Sequence, residues 1–197
     1  MLASRRAQRE LVPRDPCMPL TLRDIRSSHF SYPWHYHPEV ELTYVTQGHG
    51  LRYVGDSIGE FDEGDLCLIG PETPHCWLSR PVHGKQVRAM CLQFPVDVFG
   101  EHFLELPAAQ PVAELLRVAE RGLRVTGKLQ GRVATELEML FRDSARPIDR
   151  MVRLLSILSL MAEDPDCVPL ALSPGQRPQS RQQQRAARQV LSFIHEN

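Results

Sequence analysis

Two histidines and a glutamate within residues 33–50 constrain this chain more than any other feature. His35 and His37 are separated by one residue, and Glu41 follows His37 after three more. Side chains two positions apart on a β-strand point to the same face, so a straight strand places both histidines, Glu39 and Glu41 together. Two imidazoles and a carboxylate on one face can form part of a divalent metal site, line a polar pocket, or remain ordinary surface residues.

Short apolar segments separated by turn residues continue from residue 39 to residue 94, a pattern that predicts a β-sandwich or barrel. After Pro95 the apolar residues recur at a helical period of about 3.6. Three helices are predicted, from Pro111 to about Gly122, from about Lys128 to Ser144, and from Pro147 to about Glu163. The third is apolar around most of its circumference and therefore needs cover on more than one side.

The spacing His-x-His-x3-Glu-x6-Gly matches the first motif of the cupin family, and it is filled by His35, His37, Glu41 and Gly48. The surrounding sequence PWHYHPEVELTYV resembles the N-terminal sensor domain of AraC-type transcription regulators. This resemblance implies a mainly β fold with α-helices on its C-terminal side. A cupin-like barrel, a double-stranded β-helix or jelly roll, would be followed by an antiparallel helical dimerisation segment.

A candidate second cupin motif, GDLCLIGPETPHCW, begins at Gly64 and carries its histidine at His75. The chain departs from the general pattern at Gly70, where the pattern has proline, and at Glu72, where it has glycine. Glycine in a turn permits a positive φ angle, so the replacement at Glu72 bears on the backbone geometry of this loop.

The resemblance also implies a domain organisation. We expect an N-terminal arm at 1–19, a cupin-like sensor barrel at 20–107, a helical dimerisation segment at 108–164, a linker at 165–180, and the start of a helix-turn-helix DNA-binding domain at 181–197. The Pro, Ser, Gly and Gln content supports the linker, and the final VLSFIHEN resembles the first helix of an AraC-type DNA-binding domain. We therefore expect the sensor half of a longer regulator, with the remainder of its DNA-binding domain missing from this chain.

Two overlapping sets of residues are candidates for the site. The candidate metal ligands are His35, His37, Glu41 and His75, and the candidate ligand-binding residues are Trp34, Tyr36, Glu39 and His75. Three imidazoles and one carboxylate suit one divalent transition metal such as zinc, nickel, iron or manganese, and the sequence does not choose among them. The alternative is a set of polar pocket residues satisfied by hydrogen bonds and water. The two aromatic residues suit a pocket wall but are more commonly core or rim residues.

The resemblance implies a binding module that senses a small-molecule effector and forms a homodimer through the helices at 128–163, while DNA is bound only by the C-terminal domain absent here. The alternative is a small metal-dependent cupin enzyme, an oxygenase or isomerase, with the ion held by the same four residues. A linker running into another domain favours the regulator, so no enzymatic activity is expected. A third interpretation is a sugar- or acid-binding barrel without a switch.

Charge and composition exclude several other classes. The net charge of −1, from 23 basic and 24 acidic residues, gives the chain as a whole no electrostatic footprint for nucleic acid. No apolar run reaches the roughly 18 residues of a membrane span, and the Arg-rich N-terminus lacks the apolar stretch of a signal peptide. The five cysteines show no C-x-x-C spacing, which argues against a zinc knuckle. We expect a cytoplasmic protein without a membrane partner.

Overall fold

The computed structural model describes residues 7–13, 15, 18–83, 85–142 and 146–174, and within them eleven strands form two sheets. The strands are β1 (Gln8–Arg9), β2 (Thr21–Ser27), β3 (His35–Tyr36), β4 (Val40–Gln47), β5 (Gly50–Val54), β6 (Ser57–Phe61), β7 (Leu66–Ile69), β8 (His75–Leu78), β9 (Val87–Phe94), β10 (Leu123–Val125) and β11 (Cys167–Pro169). One sheet has the order β1-β3-β8-β5-β6, and the other has the order β11-β10-β7-β4-β9-β2. Only β1 and β3 pair in parallel among these strands, and the predicted mainly β, cupin-like class is confirmed.

The larger sheet is buried on both faces. On β7, Leu66 and Leu68 belong to the hydrophobic core beneath the helices, whereas Cys67 and Ile69 belong to the core between the sheets. All four side chains are inaccessible to solvent. A strand covered on both faces carries a continuous apolar run, which explains why LCLI does not alternate.

Three helices cover the outer face of the larger sheet. They are α1 (Gln110–Val118), α2 (Gly127–Leu140) and α3 (Pro147–Ala162), close to the predicted ranges. A proline occupies the first turn of both α1 and α3, where its missing N–H is not needed. No helix in the described ranges combines the length and apolar character required to cross a bilayer.

Two strands that follow the barrel in the sequence were not expected. β10 lies between α1 and α2 and pairs with β7, and β11 pairs with β10. Both contain three residues, too few to show a period of two, so only their pairing with neighbouring strands makes them strands. β11 lies inside the predicted linker at 165–180, and Ala171 after it is buried, so this part of the predicted linker packs on the sheet. The predicted linker residues 175–180 and the predicted DNA-binding start at 181–197 lie outside the described residues.

The loop before β8 contains Gly70 and Glu72, the two residues that differ from the general pattern of the second motif. Glu72 adopts a φ angle of +57°, the left-handed conformation that the general pattern assigns to glycine, and its N–H donates to the His37 carbonyl at 2.8 Å. Gly70 lies against the turn that follows α1, where its N–H donates to the Ala119 carbonyl at 2.7 Å. Glu72 therefore adopts the backbone conformation that glycine favours, and Gly70 lies where the backbone of the turn after α1 approaches closely.

Gly70→Ala should lower the free energy of unfolding by about 1–3 kcal/mol, because overpacking forces backbone shifts. A Cβ atom at this position would lie 2.6 Å from the Glu120 amide nitrogen and 2.7 Å from the Ala119 carbonyl carbon. Gly131→Ala in α2 is the matched control, since its Cβ would meet nothing within 4 Å among the described residues. That variant should be stabilised by about 0.5–1 kcal/mol through helix propensity. Chemical denaturation measures both; equal stabilities for the two variants would contradict this account.

Candidate functional site

The four predicted metal ligands converge at one end of the barrel. His35 lies on β3 directly opposite His75 on β8, Glu41 lies on β4, and His37 lies in the bend between β3 and β4. One donor atom from each residue can be chosen so that all four atoms lie within 4.8 Å of one another. All four side chains are buried, and His75 has no accessible surface. The structure thus brings together residues that are 40 positions apart in the sequence, His35 and His75.

Each imidazole is oriented by a backbone carbonyl that meets its Nδ1 atom. The Nδ1–oxygen distances are 2.9 Å from His35 to Pro33, 3.1 Å from His37 to Glu39, and 2.8 Å from His75 to Thr73. A carbonyl oxygen only accepts hydrogen bonds, so Nδ1 carries the hydrogen in all three rings. In the neutral tautomer, the Nε2 lone pair of each ring is then available to a ligand, as in many metal sites.

The Glu41 carboxylate faces two of these Nε2 atoms. Its Oε2 atom is 3.1 Å from His37 Nε2 and 3.5 Å from His75 Nε2. The fully buried His75 Nε2 makes no hydrogen bond with any described residue. A lone pair facing a carboxylate is favourable only with a proton or a cation between them, and buried polar atoms without partners are rare. This donor set therefore fits a divalent cation of the zinc class.

The ionisation of the cluster reflects burial and mutual charge. Burial opposes ionisation of Glu41 and is the largest effect, but the His75 and His37 imidazoles together outweigh it and hold the pKa of Glu41 well below its ordinary value. Burial also disfavours charged His37, yet the hydrogen bond and the charge of Glu41 raise its pKa. For His35, burial followed by repulsion from His75 lowers the pKa to about 4.

The remaining predicted site residues occupy different positions. The chain bends between β3 and β4, so the buried Glu39 carboxylate lies 3.7 Å from His37 Nδ1, on the side of the ring away from Nε2. Trp34 is partly buried, and its ring meets the Tyr53 ring edge-on at 6.5 Å between centroids. Tyr36 is adjacent to His35 on β3 and so points to the opposite face of that sheet. Their assignment as ligand contacts stays a prediction.

Two residues at the site were missed by the sequence analysis. The amide of Gln93 donates to Glu41 Oε2 at 2.9 Å, because Gln93 on β9 is the cross-strand partner of Glu41. Glu10, from the predicted arm, places its Oε2 atom 3.4 Å from His35 Nε2 and 4.0 Å from His37 Nε2. A lone amide in the apolar strand VRAMCLQF was a usable signal for Gln93. Nothing in the arm sequence distinguishes Glu10 from a solvated glutamate.

Comparison with known proteins gives a family and several distant structures. The model of the AraC-like ligand binding domain matches residues 19–158. A cupin 2 conserved barrel domain protein from Rhodopseudomonas palustris is 26% identical, covering 54% of this chain and 70% of that chain, with a TM-score of 0.34. The AraC-like transcriptional activator CuxR is 9% identical, with 82% of this chain and 53% of that chain covered and a TM-score of 0.44. Unsaturated fatty acid bound wild-type ToxT from Vibrio cholerae is 8% identical, with 92% of this chain and 65% of that chain covered and a TM-score of 0.42.

This chain spans 53% of the CuxR chain and 65% of that ToxT chain. No curated protein matches it. Because the TM-scores are below 0.5, the solved structures carry no weight for function, and the family assignment rests on the match that covers residues 19–158.

In metal-free protein, NMR titration of the ring protons should show His35 neutral down to a midpoint near pH 4 and His37 with a midpoint above the usual histidine value. Glu41→Gln removes the charge that stabilises the His37 imidazolium, so its midpoint should fall. Glu60→Gln, which changes an exposed glutamate on β6, is the control and should move neither midpoint. An unchanged His37 midpoint in Glu41→Gln would show that Glu41 does not govern the cluster.

Proposed function

This chain belongs to the family of AraC-like ligand binding domains, and from that membership we propose that it is the effector-sensing and dimerising part of a transcription regulator. The sensor is the buried cluster of three imidazoles and Glu41, loaded with one divalent transition metal, and the effector is a small molecule that binds beside it. The observation that carries this proposal is His75 Nε2, a fully buried lone pair aimed at Glu41 without a hydrogen bond to any described residue. The protein acts in the cytoplasm, and a separate C-terminal domain contacts DNA.

We assign a metal to this site because of the types of donor atom that its residues present. The three Nε2 atoms and one Glu41 oxygen match the nitrogen and oxygen ligands of zinc, nickel, iron or manganese. When bound, such an ion would supply a Lewis-acidic position for an oxygen atom of the effector. The chain's own residues orient the rings through the three backbone carbonyls, and burial excludes bulk water from the donors.

A physical connection between this site and the helices supports the sensing role. On β4, Glu41 points into the barrel site, whereas the adjacent Leu42 belongs to the core beneath the helices. The two side chains differ by one position, so a shift of β4 that accommodates a ligand also changes the packing under α1 and α2. Effector binding then favours the helix arrangement that accompanies the shifted strand.

Protein purified without added metal and then titrated with Zn²⁺ should bind one equivalent, measured by competition with a chromogenic chelator. Loss of an outer-shell partner already costs about 10–100-fold in metal affinity, so loss of the ligand His75 in His75→Ala should cost more. His102→Ala is the control, because that exposed imidazole pairs only with Glu105 among the described residues and should leave the affinity unchanged. Equal Zn²⁺ affinity in both variants would exclude the metal centre. Stoichiometric iron together with oxygen uptake would favour the enzyme alternative.

The proposed dimer contact involves only part of α3, whereas the sequence predicted a contact through both helices at 128–163. Leu137 and Leu140, which lie within the predicted dimerisation helices at 128–163, are 0% exposed and form part of the core of the chain itself. An apolar stripe on α3 remains available, since Ile148 is 60% exposed, Val152 is 58% exposed, and Leu155 is partly buried. These positions are spaced i, i+4 and i+7 and share one helix face. We assign this stripe to a two-fold contact with a second copy of the chain.

Val152→Glu should convert a dimer into a monomer in sedimentation velocity, because a charge placed in an apolar contact costs roughly 2 kcal/mol or more, about 30-fold in the dissociation constant. The fold should survive, since Val152 lies outside the core. Leu172→Glu is the control, because Leu172 is 86% exposed and lies away from α3 in the sequence. A native protein that is monomeric at high concentration, or a dimer unaffected by Val152→Glu, would contradict this interface.

A further inference from the structure

The Glu10 carboxylate is held by polar groups from four separate elements. Its Oε1 atom accepts hydrogen bonds from the Arg23 guanidinium on β2 at 2.7 Å and from the Tyr32 hydroxyl at 2.8 Å. Its Oε2 atom accepts a longer hydrogen bond from the Gln93 amide at 3.4 Å and lies 3.4 Å from His35 Nε2. The Glu10 side chain is only 6% exposed as a result.

Arg23, Tyr32 and Gln93, which we call the cradle, provide what a carboxylate requires. A guanidinium, a hydroxyl and an amide donate toward the two oxygens of one carboxylate, and donors that include a charged group form strong hydrogen bonds. The cradle also borders the metal-ligand cluster, because the Gln93 amide donates to Glu41 as well. Removal of Glu10 would leave these donors directed at one small space beside the histidines.

The segment that delivers Glu10 is weakly anchored elsewhere. β1 contains two residues and pairs in parallel with β3, and the backbone hydrogen bonds at its two ends run from Gln8 N to the Trp34 carbonyl and from Glu10 N to the Tyr36 carbonyl. Gln8 and Arg9 before Glu10 are exposed, and Leu11 after it is 83% exposed. Apolar burial therefore contributes little to holding the segment, and much of its attachment comes from the Glu10 carboxylate itself.

We propose that the cradle is a carboxylate-binding subsite in which Glu10 acts as a built-in competitor, and that the effector of this domain carries a carboxylate group that displaces Glu10. This inference rests on the proposed sensing function and specifies its ligand class. Displacement of Glu10 removes the main side-chain attachment of β1, so the arm leaves the edge of β3 and makes room for the rest of the effector. Carboxylate binding is thereby converted into release of the N-terminal arm.

The experiment uses sodium acetate as the probe on metal-depleted, desalted protein, with sodium chloride keeping the ionic strength constant. The side-chain amide signal of Gln93 in NMR spectra reports acetate binding. If Glu10 occupies the cradle in about nine of every ten molecules, the apparent affinity of the native chain for acetate is lowered about tenfold, so Glu10→Ala should bind acetate about tenfold more tightly than the native chain. Glu60→Ala, which removes an exposed glutamate on β6, is the matched control and should bind acetate like the native chain.

Variants of the cradle separate a specific subsite from general charge effects. In the Glu10→Ala background, Arg23→Met should abolish acetate binding, and the milder Tyr32→Phe should weaken it by about tenfold through loss of one hydrogen bond to a charged group. In the native chain, saturating acetate should accelerate trypsin cleavage after Arg9. Thermal unfolding verifies that each variant is folded, and Tyr32→Phe provides the decisive comparison if Arg23→Met is unfolded.

The proposal is overturned if Glu10→Ala binds acetate no more tightly than Glu60→Ala, if Tyr32→Phe leaves the affinity unchanged, or if inorganic phosphate binds as tightly as acetate. These outcomes are independent of the Zn²⁺ and dimerisation tests. Acetate binding in the cradle together with failure of both other tests would leave the subsite standing and remove the regulatory role. Success of both other tests without acetate binding would remove only the assignment of the ligand class.

Discussion

The structure depends on the compensation of one buried negative charge, that of Glu41. An ionised carboxylate without partners in a protein interior is strongly destabilising, so hydrogen-bond donors must surround it. Thr43 donates to Oε1 at 2.6 Å and Gln93 donates to Oε2 at 2.9 Å, while His37 and His75 approach the same Oε2 atom. These groups come from β4, β9, β8 and the bend after β3, so only the closed barrel assembles them. Formation of the fold and formation of the site are therefore the same event.

The buried ion pair between Arg52 and Asp65 is a structural arrangement in which the charges are fully compensated, and it contrasts with the histidine cluster. The Arg52 guanidinium donates to the Asp65 carboxylate, which also accepts hydrogen bonds from the Trp77 indole at 3.3 Å and from the Cys67 thiol at 3.6 Å. The charge of Asp65 is matched within the protein itself. The histidine cluster differs, because His75 Nε2 and Gln93 Oε1 are buried without hydrogen-bond partners among the described residues. Incomplete satisfaction of this kind is typical of a site that receives a ligand.

The sequence predicts the elements that local periodicity determines. It does not predict the strands and site residues that long-range contacts determine. Short apolar segments between turn residues predicted the strands from residue 39 to residue 94, helical spacing predicted α1 to α3, and the motif spacing predicted the four cluster residues. β10 and β11 were not predicted because three residues show no period, and they are strands because β10 pairs with β7 and β11 pairs with β10. Gln93 escaped because cross-strand register with Glu41 is not visible in one sequence. The burial of Leu137 could not be separated from an intermolecular role, because an apolar stripe does not state which surface covers it.

The arm and the cluster are coupled through shared contacts, and such coupling must act in both directions. Glu10 contacts His35 and Gln93, and Gln93 contacts Glu41, so the occupant of the cluster and the position of the arm compete for the same donors. If a ligand weakens the attachment of the arm by some factor, thermodynamic linkage requires the attached arm to weaken ligand binding by the same factor. An arm segment whose buried side-chain contacts come from one carboxylate is well suited to this exchange, because in the described part of the chain β1 pairs with β3 over only two residues. In the proposed exchange the small size of β1 is an advantage, since a longer strand would make displacement too costly for a small effector.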